Sequence, residues 1–211
     1  MNSSTPSSPI LRHSVAARLI HWLLAVGFMV AMATGLSLYW RSILGWTMPL
    51  FGGKPMAVLL HFWFGIGFAV FALPLFLIWR KRMRWTPADS EFARNLKEHA
   101  LNPGQQQPQE TGFFNGGQKL FFILVSWSAA ILLFTGLVWW FRKDLPHPLY
   151  AVCRTTHRVL GVVIAGGFLA HLYKSTLGER GTLRSMITGK VTEDWAKARR
   201  PAWHREIGGG R

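Results

Sequence analysis

Four long apolar runs separated by polar connections dominate the pattern of the chain. The first, Leu19 to Trp40, reads LIHWLLAVGFMVAMATGLSLYW; the second runs from Met56 to Trp79, the third from Leu120 to Phe141, and the fourth centres on Thr156 to Tyr173. None shows the alternation of a half-buried strand, and each has about the 17–25 residues that carry a helix across a bilayer. Pro74 lies inside the second run, which a membrane helix tolerates. The pattern predicts an all-α membrane protein, a bundle of four transmembrane helices over about 18–40, 56–79, 117–141 and 155–177. That 17–177 domain sits between a flexible Ser/Pro-rich tail, residues 1–16, and a basic tail, residues 178–211, of short interfacial or soluble helices. Within the longest connection, Ser90–His99 is expected to be a short amphipathic helix and Asn102–Gly112 to be irregular. The first run follows basic residues, as a secretory signal does, but it is longer than a signal core and lacks a small-residue cleavage site, so it is read as retained.

Composition agrees: half the residues are hydrophobic and only 16% are charged. The net charge of +15 would fit a nucleic-acid binder, but the basic residues cluster beside the apolar runs, where they set topology and meet anionic lipid. No nucleic-acid partner is expected. Counted by connection, 18 of the 24 Lys and Arg residues fall on the side of the two termini and six on the other. Both termini are therefore expected in the cytoplasm of a multi-pass bacterial inner-membrane protein. The single cysteine, Cys153, excludes an internal disulfide and any cysteine-ligated zinc or iron–sulfur site, and without C-x-x-C-H no haem would be held covalently.

Topology then sorts four histidines into two levels. His157 and His171 are fourteen residues apart, which brings both to one helix face roughly 21 Å apart along the axis. His21 falls at the cytoplasmic level with His171, and His61 at the outer level with His157. Each alone reads as an interfacial polar group, but ionisable groups inside spans are rare and mostly functional. Two imidazoles facing each other from different helices suit a haem with both axial positions filled; zinc would need further ligands, and no Cys, Asp or Glu is embedded at either level. The expectation is two b-type haems with His21, His61, His157 and His171 as iron ligands. Gly35, fourteen residues after His21, bares helix 1 at the outer level, and Gly65, Gly67, Gly161, Gly166 and Gly167 offer similar thin places or ordinary helix packing. Arg18 and Arg158 stand beside His21 and His157, placed for haem propionates and equally well for topology or lipid contact.

Several motifs carry a family resemblance: RLIHW from Arg18, TGLS from Thr34, HFWFG from His61, NGGQK from Asn115, TGLVWW from Thr135, the His157/His171 pair with HLY, GKVTEDWAK from Gly189 and PAWHRE from Pro201. From about Ile10 to Ile207 the chain resembles the gamma subunit of membrane-bound formate dehydrogenase, a cytochrome b. The resemblance implies electrons arriving at the outer haem from an iron–sulfur beta subunit, itself fed by a formate-oxidising alpha subunit. They leave from the inner haem to menaquinone or ubiquinone near the cytoplasmic face. It also implies a quinone pocket at Asn115, Gly117 and Gln118; without the family, NGGQ reads as a turn and helix start. Such a chain is the quinone-reducing electron-transfer subunit of a complex, not a formate-oxidising catalyst, and has no catalytic residue of its own. Departures from the family are the Pro/Gln-rich stretch Asn102–Glu110 and the tail, which reads KARRP at Lys197–Pro201 where relatives carry KKHHP, and has His204 in place of Tyr. Related b-type subunits serve hydrogenases and other periplasmic oxidoreductases, and from another class a non-haem anchor or transporter shares the four-helix pattern.

Overall fold

The computed structural model describes residues 9–101, 110–141 and 146–208; most of the expected irregular stretch Asn102–Gly112 lies outside them. In chain order the elements are strand β1 (Pro9–Leu11), helices α1 (Val15–Tyr39), α2 (Arg41–Leu44), α3 (Gly53–Trp79), α4 (Pro87–Arg94), α5 (Leu96–Leu101), α6 (Gly116–Trp140), α7 (His147–Tyr173) and α8 (Thr182–Thr188), strand β2 (Lys190–Thr192), and helices α9 (Glu193–Arg199) and α10 (Pro201–Gly208). Four helical segments are long and apolar enough to cross a membrane: Val15–Tyr39, Gly53–Met83, Gly116–Trp140 and His147–Gly178. α3 runs unbroken through Pro74. α7 starts at His147, eight residues before the expected 155, because Pro148 falls in its first turn, where a missing N–H costs nothing. The His157–His171 stretch is thus one continuous helix, closed by a π-helical turn at Lys174–Gly178.

The chain forms two compact units. The first comprises residues 19–77 and 124–168. Its helices meet through aromatic and glycine contacts: Phe28 touches Phe68 and Phe168, Phe62 stacks on Trp140 at 4.0 Å, and Gly27 lets the α3 backbone at Phe64 and Phe68 approach α1. Trp63, Trp127, Phe134 and Val159 are exposed on its outside. A solvent-facing surface would not carry such a band of large apolar groups, whereas lipid accepts it. The chain is an integral membrane protein.

The second unit comprises residues 1–18, 78–123 and 169–211. The expected flexible tail over residues 1–16 is corrected from Pro9 onward, its first eight residues lying outside the described ones. β1 pairs antiparallel with β2, Pro9 opposite Thr192 and Leu11 opposite Lys190, and the N–H groups of Arg12 and His13 both donate to the Gly189 carbonyl. Gly189 ends α8 at φ 82° and lies where a Cβ would come 2.8 Å from the His13 carbonyl oxygen, so only glycine fits. The C-terminal segment is likewise packed: Phe113, Phe114, Val191, Ala196 and Trp203 form a buried cluster with Ile10 and Trp79 against it. Thr192 caps α9 by accepting from the Trp195 N–H at 3.2 Å.

Candidate functional site

Within the first unit, α1, α3, α6 and α7 enclose a cavity of about 610 Å³ lined mainly by apolar side chains and glycines. His61 from α3 and His157 from α7 project into it with ring centroids 5.9 Å apart. Two imidazoles sharing one metal ion, with bonds of about 2 Å, would have centroids about 6 Å apart.

Each ring is held through Nδ1. The Nδ1–H of His61 donates to the Ala31 carbonyl at 2.8 Å, with Thr34 Oγ1 at 3.4 Å. Thr135 Oγ1 spends its own proton on the Ile131 carbonyl at 2.7 Å, so it accepts from the Nδ1–H of His157 at 3.0 Å. With the proton on Nδ1, the Nε2 lone pair of each ring is the one left for a ligand bond. Glycines provide the clearance: a Cβ on Gly35 would come 2.7 Å from His61 Cε1, and one on Gly136 would come 3.3 Å from His157 Cε1. Gly65 and Gly161, also in the wall, face open space. Gly35, expected to bare helix 1 for a macrocycle, instead seats the His61 ring edge.

Among the described residues no group of three or more His, Cys, Asp and Glu could hold a metal ion. The donor set of this cavity is two imidazoles, which suits iron whose other four ligands come from a porphyrin. Arg158 lines the same cavity beside Tyr39 and Trp139, its buried Nε without a hydrogen-bond partner, and Lys54 stands in the wall as a second cation. Both could receive carboxylates. The residues fit a haem.

The second unit holds the other expected positions except His21. His171 on α7 stacks on Phe121 of α6, centroids 4.4 Å apart and planes 10° from parallel. Asn115 and Gln118 open α6 as a reciprocal capping box: Asn115 Oδ1 accepts from the Gln118 N–H at 2.9 Å, and Gln118 Oε1 accepts from the Asn115 N–H at 3.2 Å. The face of Gly117 is taken by the Phe92 ring, which a Cβ there would meet at 3.1 Å, so this glycine admits an α4 side chain. Arg18 donates to the Ile187 carbonyl and packs across Gly189. His21, on α1 in the first unit, lies edge-on to Trp22.

A family model described as prokaryotic cytochrome b561 matches residues 12–189. The chain belongs to that family. Cytochromes b561 bind haem b, which agrees with the paired imidazoles of the cavity. The nitrate-inducible formate dehydrogenase cytochrome b556(Fdn) subunit of Escherichia coli K12 is 29% identical over 206 residues, covering 95% of this chain and 93% of the relative. The E. coli formate dehydrogenase cytochrome b556(fdo) subunit is also 29% identical, over 202 residues, covering 94% and 93%. The formate dehydrogenase cytochrome b556 subunit of Haemophilus influenzae is 28% identical over 208 residues, covering 93% of this chain and 83% of the relative.

Sequence reasoning missed the tethers. Thr34–Gly35 and Thr135–Gly136 are the same dipeptide on α1 and α6, each set against the histidine of the next long helix. The repeat was visible; its meaning required the pairing of helices. Thr135→Val keeps the volume and removes the acceptor for His157. It is expected to lower haem affinity about 10–100-fold, as losing the group that orients a ligating histidine does at metal sites, measured by haem titration of the apoprotein; unchanged affinity would remove Thr135 from the site.

Proposed function

We propose that this cytochrome b561 is the quinone-reducing subunit of a formate dehydrogenase complex in the bacterial inner membrane. It carries electrons through two b haems from an iron–sulfur subunit outside, fed by a formate-oxidising subunit, to menaquinone or ubiquinone near the cytoplasmic face. The observation that carries the reading is the His61/His157 pair, two Nδ1-tethered imidazoles 5.9 Å apart in a glycine-thinned cavity, together with near full-length similarity to formate dehydrogenase cytochrome b556 subunits. When bound, haem supplies a one-electron iron couple.

The chain's residues supply the rest. His61 and His157 hold one haem, and His21 and His171 the second. Arg158 and Lys54 neutralise carboxylates at the first site, and Arg18 serves mainly to anchor the tail at Ile187. Asn115, Gly117 and Gln118 form the quinone-side segment. Each quinone takes two electrons and two protons to become the quinol, the protons drawn from the cytoplasmic side, so turnover separates charge across the membrane.

The test is a haem assay and anaerobic redox spectrum of the purified chain, expected to give two b haems per chain, both reoxidised by added quinone. A chain without haem would leave a passive anchor or transporter. Copurification with a formate-oxidising rather than a hydrogen-oxidising partner tests the donor, and a hydrogenase partner would replace this part of the proposal.

A further inference from the structure

Behind the start of α6 lies a buried polar knot centred on Arg200, whose side chain is fully buried. Its guanidinium forms a two-pronged pair with Glu179, Nη1 to Oε1 at 2.6 Å and Nη2 to Oε2 at 3.1 Å, and Nη2 also donates to Gln118 Oε1 at 3.1 Å. Arg200 lies within KARRP, Lys197–Pro201.

The consequence is for the Gln118 amide. Its Oε1 meets two groups that can only donate, the Arg200 guanidinium and the Asn115 N–H. Rotating the amide by 180° would set Nε2 against both donors, so the orientation is forced. Nε2, with two hydrogens, is turned away from the knot, and no hydrogen bond to the described residues engages it. Asn115 is in the opposite condition: it is buried, its Oδ1 is spent on the Gln118 N–H, and its Nδ2 faces Glu179 Oε2 at 3.5 Å. Gln118 is only half-buried and stands one turn before Phe121, the residue stacked on His171.

We propose that Arg200, held by Glu179, is a positioning residue that fixes Gln118 with its Nε2–H groups outward, making Gln118 rather than Asn115 the hydrogen-bond donor to a quinone ring carbonyl. The inference rests on the reading of the Asn115–Lys119 segment as the quinone site. A donor locked in place loses no rotamer freedom when the ring arrives, so the gain appears in binding.

The experiment uses the haem-loaded chain in proteoliposomes, reduced with limiting dithionite and reoxidised anaerobically by increasing decylubiquinone, with haem content recorded for every variant. Gln118→Glu keeps acceptors for Arg200 and the Asn115 N–H but removes the donor. It is expected to raise the half-saturating decylubiquinone concentration about ten-fold, with a smaller change in maximal rate. The double variant Arg200→Gln with Glu179→Gln removes the pair without stranding either charge. It is expected to raise the same concentration about three- to ten-fold and to broaden the infrared carbonyl band of bound decylubiquinone, a signature that general loosening of the tail would not give. If the double variant kept the wild-type half-saturation and carbonyl band while Gln118→Glu was impaired, the role of Arg200 would be wrong and the quinone site would stand. If Gln118→Glu and Gln118→Ala both behaved as wild type, the quinone site itself would fall, and this inference with it.

Discussion

Replacing His157 by alanine is expected to lower the haem bound by the purified chain from the proposed two per chain to one. His157 supplies one of only two imidazoles in the cavity, and no third His, Cys, Asp or Glu clusters with them among the described residues to take its place. His61 would remain tethered to the Ala31 carbonyl with its Nε2 available, but with one of the two axial bonds gone the low-spin form is lost and the haem is released more readily to detergent. His61→Ala should give the same result, since the two rings act as one unit. The haem left behind should still respond to His21→Ala and His171→Ala. Pyridine haemochrome quantification with a redox titration measures this: one component should vanish and the other keep its midpoint. A variant that kept both haems, or lost the wrong one, would overturn the ligand assignment.

Glu179→Gln is expected to destabilise the fold by about 3–5 kcal/mol, the usual cost of removing one partner from a buried ion pair. Arg200 would be left fully buried with its countercharge gone, and the buried Arg12 would lose the nearest compensating carboxylate. The same pair sets a pH dependence. Burial acts to raise the Glu179 pKa, but the charge of Arg200, its hydrogen bond and the charge of Arg12 outweigh it and hold the carboxyl below its ordinary value. A depressed folded pKa contributes stability that is present above the unfolded carboxylate range, about pH 4.3, and is lost as pH falls through the folded value. Thermal midpoints in detergent should therefore drop for the wild type on acidification below about pH 4, and the Glu179→Gln variant, already weakened, should show less of that drop. A variant as stable as wild type at neutral pH would show that the pair contributes nothing.

Much of the membrane part was legible in the chain, because lipid imposes a long, local and nearly unconditional signal: every backbone group must pair within its own helix, so a spanning run must be apolar throughout. The fourteen-residue interval from His157 to His171 could be read as one face for the same reason. The first eight residues of α7 contain Pro148 and Arg154, which lower the apolar signal that marks a span while leaving helix geometry intact, so the sequence pattern places its start too late. The fold of the tail was less legible. β1 and β2 are three residues each, too short for a period-2 pattern to declare itself, and what makes them strands is each other. Arg200 illustrates the same limit. In sequence it is one of several basic residues in a tail expected to form short interfacial or soluble helices, and only the arrival of Glu179 from beyond α7 and Gln118 from α6 makes its burial possible. Thr34 and Thr135 belong with it, since a hydroxyl bonded to its own helix looks idle until the neighbouring helix presents an imidazole.

The pairing of Pro9 with Thr192 also bears on how the molecule is made. A strand near the beginning of the chain finds its partner only after nearly all of the polypeptide has left the ribosome and the last span has been threaded into the bilayer. Until then Ile10 has no Val191 to register against, and the Gly189 carbonyl that receives Arg12 and His13 has yet to be synthesised. Assembly of this unit is therefore a late event, limited by closure of a very long loop. Nascent chains halted before β2 would leave their N-terminal segment open to proteases, and its protection would report that synthesis had passed Thr192.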